Sequence, residues 1–506
     1  MTTPVREIPS APSRVADAVT GAGLREQLRW FGTLWVMALA FHYSDSQPLG
    51  VFPVLVFGLP ALLFPSSAAA FGLALVTGAV VAALNLPSAS NHLALSLLIA
   101  LAFGGAALGV WLTRARSGAP RPFVERWLEC ARGPAGLVLL VVYLFTVLDK
   151  LNTAFFDPAV SCAGSLLSQL IGLNGLGWVT LNPVVVQASS VGTVLVEATI
   201  LVCLAVPGLR CWGVLLGVGL HSVLAMASFY DFATIVFALY VLLVPAEVFD
   251  ALAPRSPARR RLSLIGFAAH VLLSLAAGLA GESHSASSPI GLTWHTLLVA
   301  TWFVAVGPYL LPLVRGCLAA RACGIRWPGW RLRPSVLLLV PLLAFTNGTA
   351  PYLGLKTVAS YSMFSNLHTE RGATNHLLPG LTALEVVPYQ RDTVTVTAIR
   401  FPDHRVRLDP LDTALGGMTF LGRQSRWTSE KPPVLVPYLE LRRTVRMWRD
   451  AGVGGVRLAY VHDGVARTVP DATADPELSA PLPWWQRHLT AFRAIDSGSG
   501  PDRCRW

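Results

Sequence analysis

Apolar residues gather along this chain in long runs, at roughly 29–44, 50–65, 68–86, 92–113, 134–150, 189–207, 211–228, 229–248, 262–281, 293–314 and 334–347. A helix needs about 20 such residues to cross a bilayer, and runs one, two and eleven fall short. The pattern predicts an all-α polytopic membrane protein of about 9–11 transmembrane helices. Beyond residue 348 the period changes. Residues 393–399 alternate with period two, as a strand does. Residues 456–461 and 465–469 flank His462-Asp463-Gly464, a hairpin turn. Segments 438–448 and 484–492 read as amphipathic helices. The chain thus divides into three parts: a disordered cytoplasmic tail at 1–27, a transmembrane helical domain at 28–347, and a small extracytoplasmic α/β domain at 348–506.

Composition agrees with a membrane assignment. The 506 residues are 53% hydrophobic and only 13% charged, where soluble domains carry about 25% charged residues. The net charge of +11 does not indicate nucleic acid, because much of it is Arg in short loops between apolar runs. Arg6, Arg14, Arg25 and Arg29 precede run one. Arg114, Arg116, Arg121, Arg126 and Arg132 follow run four. Arg255, Arg259, Arg260 and Arg261 follow run eight, and Arg315, Arg321, Arg326, Arg331 and Arg333 follow run ten. Eleven crossings from a cytoplasmic N-terminus put all four clusters inside and the tail outside. The seven Cys show no metal-site spacing, so no metal is expected. Cys162 and Cys504 are the two placed outside, where oxidation is permitted, and a disulfide between them is expected.

Polar residues at bilayer depth then become informative. Asn91-His92 opens run four, Lys150 closes run five, Glu197 lies in the outer half of run six and His221 in the outer half of run seven. Lys150 is the only Lys before Lys356 in a chain that otherwise uses Arg, which suggests an amine able to lose a proton. Four such groups on consecutive runs argue for one cavity opening outward. Each also has a structural reading. Lys150 can snorkel to the headgroups, His92 can sit idle at the interface, His221 can bond a neighbouring helix, and Glu197 can pair with Lys150 or His221. His270 reads as structural. Asn347-Gly-Thr349 has the form of a glycosylation sequon.

At these residues the chain resembles vitamin K-dependent gamma-carboxylases and the wider group of bacterial carboxylase-like membrane proteins called the HTTM family. The string from Tyr143 to Asn152, YLFTVLDKLN, resembles the segment carrying that family's catalytic lysine, with Lys150 on it. Asn91-His92 resembles its Asn-His pair beside the hydroquinone. His221-Ser222 and the stretch Phe229-Tyr-Asp-Phe-Ala233 resemble its later His-containing helix and the Phe-Ser-Tyr stretch after that helix. Glu197 falls on an acidic position. The strings at 347–357 and 364–376 resemble the tails of the bacterial members. Asn152 stands where the family has an acidic residue, and the tail is shorter than the animal enzyme's lumenal domain.

The resemblance implies a membrane enzyme that oxidises reduced menaquinone or vitamin K hydroquinone with O2 to the epoxide. It implies coupling, through CO2, to carboxylation of a peptide or small-molecule Glu-type substrate. Lys150 and His92 would be catalytic, while Asn91, His221, Tyr143 and Glu197 would bind the cofactor. Desolvation disfavours an ammonium, so a lysine in such a pocket can act as a general base. A carboxylate beside it would oppose that, so Lys150 and Glu197 are expected not to touch, and His92 is expected to face Lys150 across the pocket. The partners expected are the lipid bilayer and an isoprenoid quinone. A non-catalytic immunity, assembly or sensing protein of the same fold is the alternative. A transporter ranks last, because the two halves show no corresponding broken helices.

Overall fold

The computed structural model describes residues 21–46, 51–87, 89–117, 122–253, 256–280, 283, 285–330, 334–362, 364–370, 374–401, 433–495 and 504. Every apolar run forms a helix: α1 (Gly21–Ser46), α2 (Val51–Leu63), α3 (Ala68–Leu84), α4 (Asn91–Ser117), α5 (Phe123–Lys150), α8 (Pro183–Ala205), α9 (Arg210–Ala225), α10 (Tyr230–Leu243), α12 (Ser256–Ala280), α13 (Trp294–Ala322) and α14 (Leu339–Thr349). Short helices α6 (Thr153–Phe156), α7 (Cys162–Leu173) and α11 (Ala246–Leu252) join them. Six of the described helices are long and apolar enough to cross a membrane, or seven if α10 and α11, bent by 106°, form one span. The expected 9–11 would also need α1, which does not meet that measure, and the shorter α2, α3 and α14. Residues 21–27 belong to α1, so the expected tail shrinks to residues 1–20, which lie outside the described residues, as do Arg121, Arg255, Arg331 and Arg333.

Helices α1 and α10 are the core. Twelve of the fourteen residues of α10 are buried, and α1 is buried on all sides from Trp30 to Tyr43 except at His42. Polar residues enter α1 because they have partners. Pro245 has no N–H, so the Val241 carbonyl lacks its donor four residues on and keeps only a long backbone bond from Val244 N at 3.4 Å. Gln27 Nε2 replaces the missing donor, donating to Val241 O at 2.7 Å and to Val244 O at 2.9 Å. That substitution lets the chain turn sharply between α10 and α11 inside an apolar bundle.

Basic residues mark one end of the bundle. There Arg25 pairs with Glu125 at 2.6 Å, Arg29 with Glu26 at 3.0 Å, and Arg259 lies over the Trp30 ring. Arg260 binds the carbonyl of Leu62, and Arg126 donates to Thr113 at 3.0 Å. The other end carries the C-terminal region.

That region has two parts. A four-stranded antiparallel sheet, in the order β2-β1-β3-β4, contains β1 (Thr393–Arg400), β2 (Val434–Pro437), β3 (Arg457–His462) and β4 (Val465–Val469). Asp463 and Gly464 have φ of 50° and 75°, the conformation a tight two-residue hairpin requires. Helix α15 (Tyr438–Asp450) packs on the sheet and α16 (Trp484–Leu489) is shorter than the sequence suggests. The described residues among 350–390, by contrast, form no sheet. They lie as turns and short helical pieces against the bundle end, where Tyr352 donates to Asp149 at 2.6 Å and Leu377 N to Leu151 O at 2.8 Å. Cys162 and Cys504 form a disulfide, which ties α7 to the C-terminus. Asn347 closes α14 with its side chain donating to Ala359 O at 2.8 Å, so the sequon nitrogen is held internally.

Candidate functional site

A cavity of about 210 Å³ opens among α4, α5, α7, α8, α9 and α10 at the end that carries the sheet. Helical spacing explains its lining. Tyr143, Thr146 and Lys150 recur on one face of α5, and Ser189, Thr193 and Glu197 on one face of α8. Helix α9 supplies His221 and Leu224, helix α10 supplies Phe232 and Val236, and α4 supplies Asn91 and Leu95. Most of the wall is Leu, Val and Phe. Val223 lines the cavity and is 48% exposed, on a helix apolar enough to cross a membrane.

Five of the six expected site residues meet in this cavity: Asn91, Tyr143, Lys150, Glu197 and His221. Their bonding departs from expectation in one respect. Lys150 Nζ lies 2.8 Å from Glu197 Oε2 and 3.1 Å from Oε1, so the two are in direct contact. Its third bond goes to Thr146 O at 3.1 Å. The expectation of separation fails because neither charge makes another ion pair among the described residues. Both side chains are about nine-tenths buried, and an isolated charge there costs far more than a paired one.

Tyr143 Oη joins His221 Nε2 at 2.8 Å and also bonds the Tyr240 hydroxyl. Tyr240 reaches it because position 217 is glycine; a Cβ there would collide with the Tyr240 hydroxyl. His221 Nδ1 is buried with no hydrogen-bond partner among the described residues, so this imidazole has one polar atom to offer a ligand. Asn91 Oδ1 accepts from Tyr361 N at 2.9 Å.

His92 does not line the cavity. Its Nε2 lies 2.8 Å from His42 Nδ1, 3.2 Å from Asp231 Oδ2 and 3.0 Å from Ser90 Oγ. Phe232 neighbours both sites, with its ring centroid 6.3 Å from His92 and 5.3 Å from His221. His92 therefore does not face Lys150, because α4 turns Asn91 toward the cavity and His92 toward α1 and α10. His270 is structural, with Nδ1 at 3.0 Å from Leu298 O.

The remaining wall comes from a segment beyond the helices. Tyr361 and Phe364 line the cavity, with φ of 68° and 55°. Aromatic residues rarely adopt this conformation, at a cost of about 1–3 kcal/mol each. Asparagines hold them in it. Asn152 Nδ2 donates to Ser365 O at 2.6 Å, Asn375 Nδ2 to Asn366 O at 2.7 Å, and Asn366 bonds Val160 O and Cys162 N at 3.0 and 2.7 Å. Sequence reasoning did not place Tyr240, Tyr361, Phe364, His42 or Asp231 at the site. The asparagines around 347–376 were the available signal. No protein-family model, no curated protein and no solved structure matches the chain.

Proposed function

We propose that the cavity binds a reduced isoprenoid naphthoquinone, menaquinol or vitamin K hydroquinone, in a gamma-carboxylase-like membrane enzyme. The observation that carries this reading is the convergence of Lys150, Glu197, His221, Tyr143 and Asn91 on one largely apolar cavity. The wall suits a flat apolar ring system, the polar atoms suit its two hydroxyls, and the half-exposed wall at Val223 would take an isoprenoid tail. When bound, such a group supplies the reaction with O2 that yields its epoxide, and a basic product able to drive carboxylation of a Glu-type substrate with CO2.

The residues have distinct tasks. All three Nζ donors of Lys150 are engaged, so the ammonium has no lone pair to offer. The Lys150–Glu197 pair acts as one unit: the Glu197 carboxylate takes the hydroxyl proton, and the Lys150 ammonium stays beside it to stabilise the remaining charge. His221, fixed by Tyr143 and Tyr240, orients the second hydroxyl. Tyr361 and Phe364 close the cavity against water, which protects a strong base.

We assign the basic end of the bundle to the cytoplasm and the sheet to the outside, with the N-terminus inside. In this topology α1 and the shorter α2, α3 and α14 also cross, and α10 with α11 counts as one span, giving eleven. The test is purified protein supplied with menaquinol and O2, with the epoxide read by mass spectrometry. Epoxide above a protein-free control is expected; its absence removes the catalytic reading. The second reading, a non-catalytic immunity, assembly or sensing protein, is favoured by the saturation of Lys150, which a purely structural ion pair would also show.

A further inference from the structure

We infer that His42, His92 and Asp231 form a binding site for one divalent first-row transition-metal ion. This site does not depend on the reading of the cavity. The three side chains come from three helices that are distant in sequence: the end of α1, the start of α4 and the first turn of α10. For that reason no ligand spacing shows in the sequence. Their donor atoms nevertheless gather at one point. His42 Nδ1 lies 2.8 Å from Asp231 Oδ2 and 2.8 Å from His92 Nε2, and His92 Nε2 lies 3.2 Å from the same Oδ2.

Hydrogen bonding alone accounts poorly for this triangle. A ring nitrogen has a single in-plane direction, occupied by either a proton or a lone pair. His42 Nδ1 is at bonding distance from two partners at once, and His92 Nε2 from three, with Ser90 Oγ included. Three donor atoms mutually this close are what a cation draws together.

The spacing also selects the geometry. With metal–ligand bonds of about 2.1 Å, these separations correspond to ligand–metal–ligand angles of about 84–99°. Tetrahedral ligands would stand about 3.4 Å apart at about 109°. The triangle therefore caps one face of an octahedron, leaving three positions for water or another ligand. Two imidazoles and one carboxylate in that arrangement suit Mn²⁺, Fe²⁺ or Co²⁺ better than a closed tetrahedral zinc site. The carboxylate is already oriented, because Asp231 Oδ1 accepts from Phe232 N at 2.7 Å and Oδ2 is left toward the imidazoles. The three side chains retain 12–14% of their exposure, which leaves a path for the ion.

Co²⁺ is the probe. Full-length protein is stripped with chelator, titrated with Co²⁺ and dialysed, and the metal is counted by mass spectrometry while its visible spectrum is recorded. One Co²⁺ per chain with the weak bands of a six-coordinate ion is expected. His42→Ala and Asp231→Asn are each expected to weaken retention by more than about tenfold, since even outer-shell changes reach that level. Failure of the wild-type protein to retain Co²⁺ overturns the assignment whether or not the variants fold. So does an intense four-coordinate spectrum, or retention unchanged in both variants.

Discussion

Lys150 and His92 both stand at helix ends on the side of the bundle that carries the sheet, yet they answer to different neighbours. Lys150 belongs to a two-member cluster in which each charge has one ionic partner, Glu197 at 2.8 Å, and it faces a cavity. His92 belongs to a three-member cluster in which Asp231 has two imidazoles within 3.2 Å, and it faces helices α1 and α10. The pair has no redundancy, whereas the triad has some. Standing at the same end of the bundle therefore does not make residues one site. What each can do depends on which face of its helix it occupies and on how many partners share its burial cost.

The largest expected effect comes from that lack of redundancy. Lys150→Ala leaves the Glu197 carboxylate buried alone, with an expected loss of about 3–5 kcal/mol. Lys150→Met combined with Glu197→Leu should recover much of it, since a buried pair replaced by apolar groups is often neutral. Thermal unfolding of the purified variants measures both. If the double variant is no more stable than Lys150→Ala, the two groups are not coupled.

His42→Ala should cost less, about 1–3 kcal/mol, because His92 remains beside Asp231. A loss equal to that of Lys150→Ala in the same assay would erase the distinction between the clusters. Gly217→Ala sharpens the comparison from the cavity side. Displacing Tyr240 should cost about 1–3 kcal/mol of overpacking and loosen His221, and unfolding of this variant shows whether Tyr240 is held there. A stability unchanged from wild type would mean that the hydroxyl has room to move.

The smallest effect concerns pH. Burial lowers Lys356, in the segment after α14, from its ordinary value to about 8. Its folded form prefers the neutral amine, so stability should rise as pH increases from about 8 toward the unfolded lysine value near 10.5. Lys356→Met should flatten that slope in unfolding measured across the window. An identical slope in the variant would assign it to another group.

The bundle was legible because apolar runs and the 3.6-residue period report burial directly. The hairpin was legible because Asp463-Gly464 is itself a turn chemistry. A shared position on consecutive apolar runs pointed to Asn91, Lys150, Glu197 and His221, but the same signal also drew in His92, which faces α1 and α10 instead. Partner choice was not legible: whether Glu197 meets Lys150, or His92 meets His42, depends on helix rotation, which a linear pattern does not encode. The arrangement of the described residues among 358–376 that asparagines hold was hidden for another reason. Its conformation comes from side chain to backbone bonds between residues as far apart as Asn152 and Ser365, and such bonds have no periodicity.

The central claim is that the Lys150–Glu197 pair accepts a proton from a bound hydroquinone. Its most direct test is the rate of menaquinol epoxide formation by Glu197→Gln, which keeps the shape and removes the acceptor, in protein shown to be folded. A loss of at least about a hundredfold relative to wild type is expected, the scale of general acid–base catalysis. A rate close to that of the wild type would contradict the account.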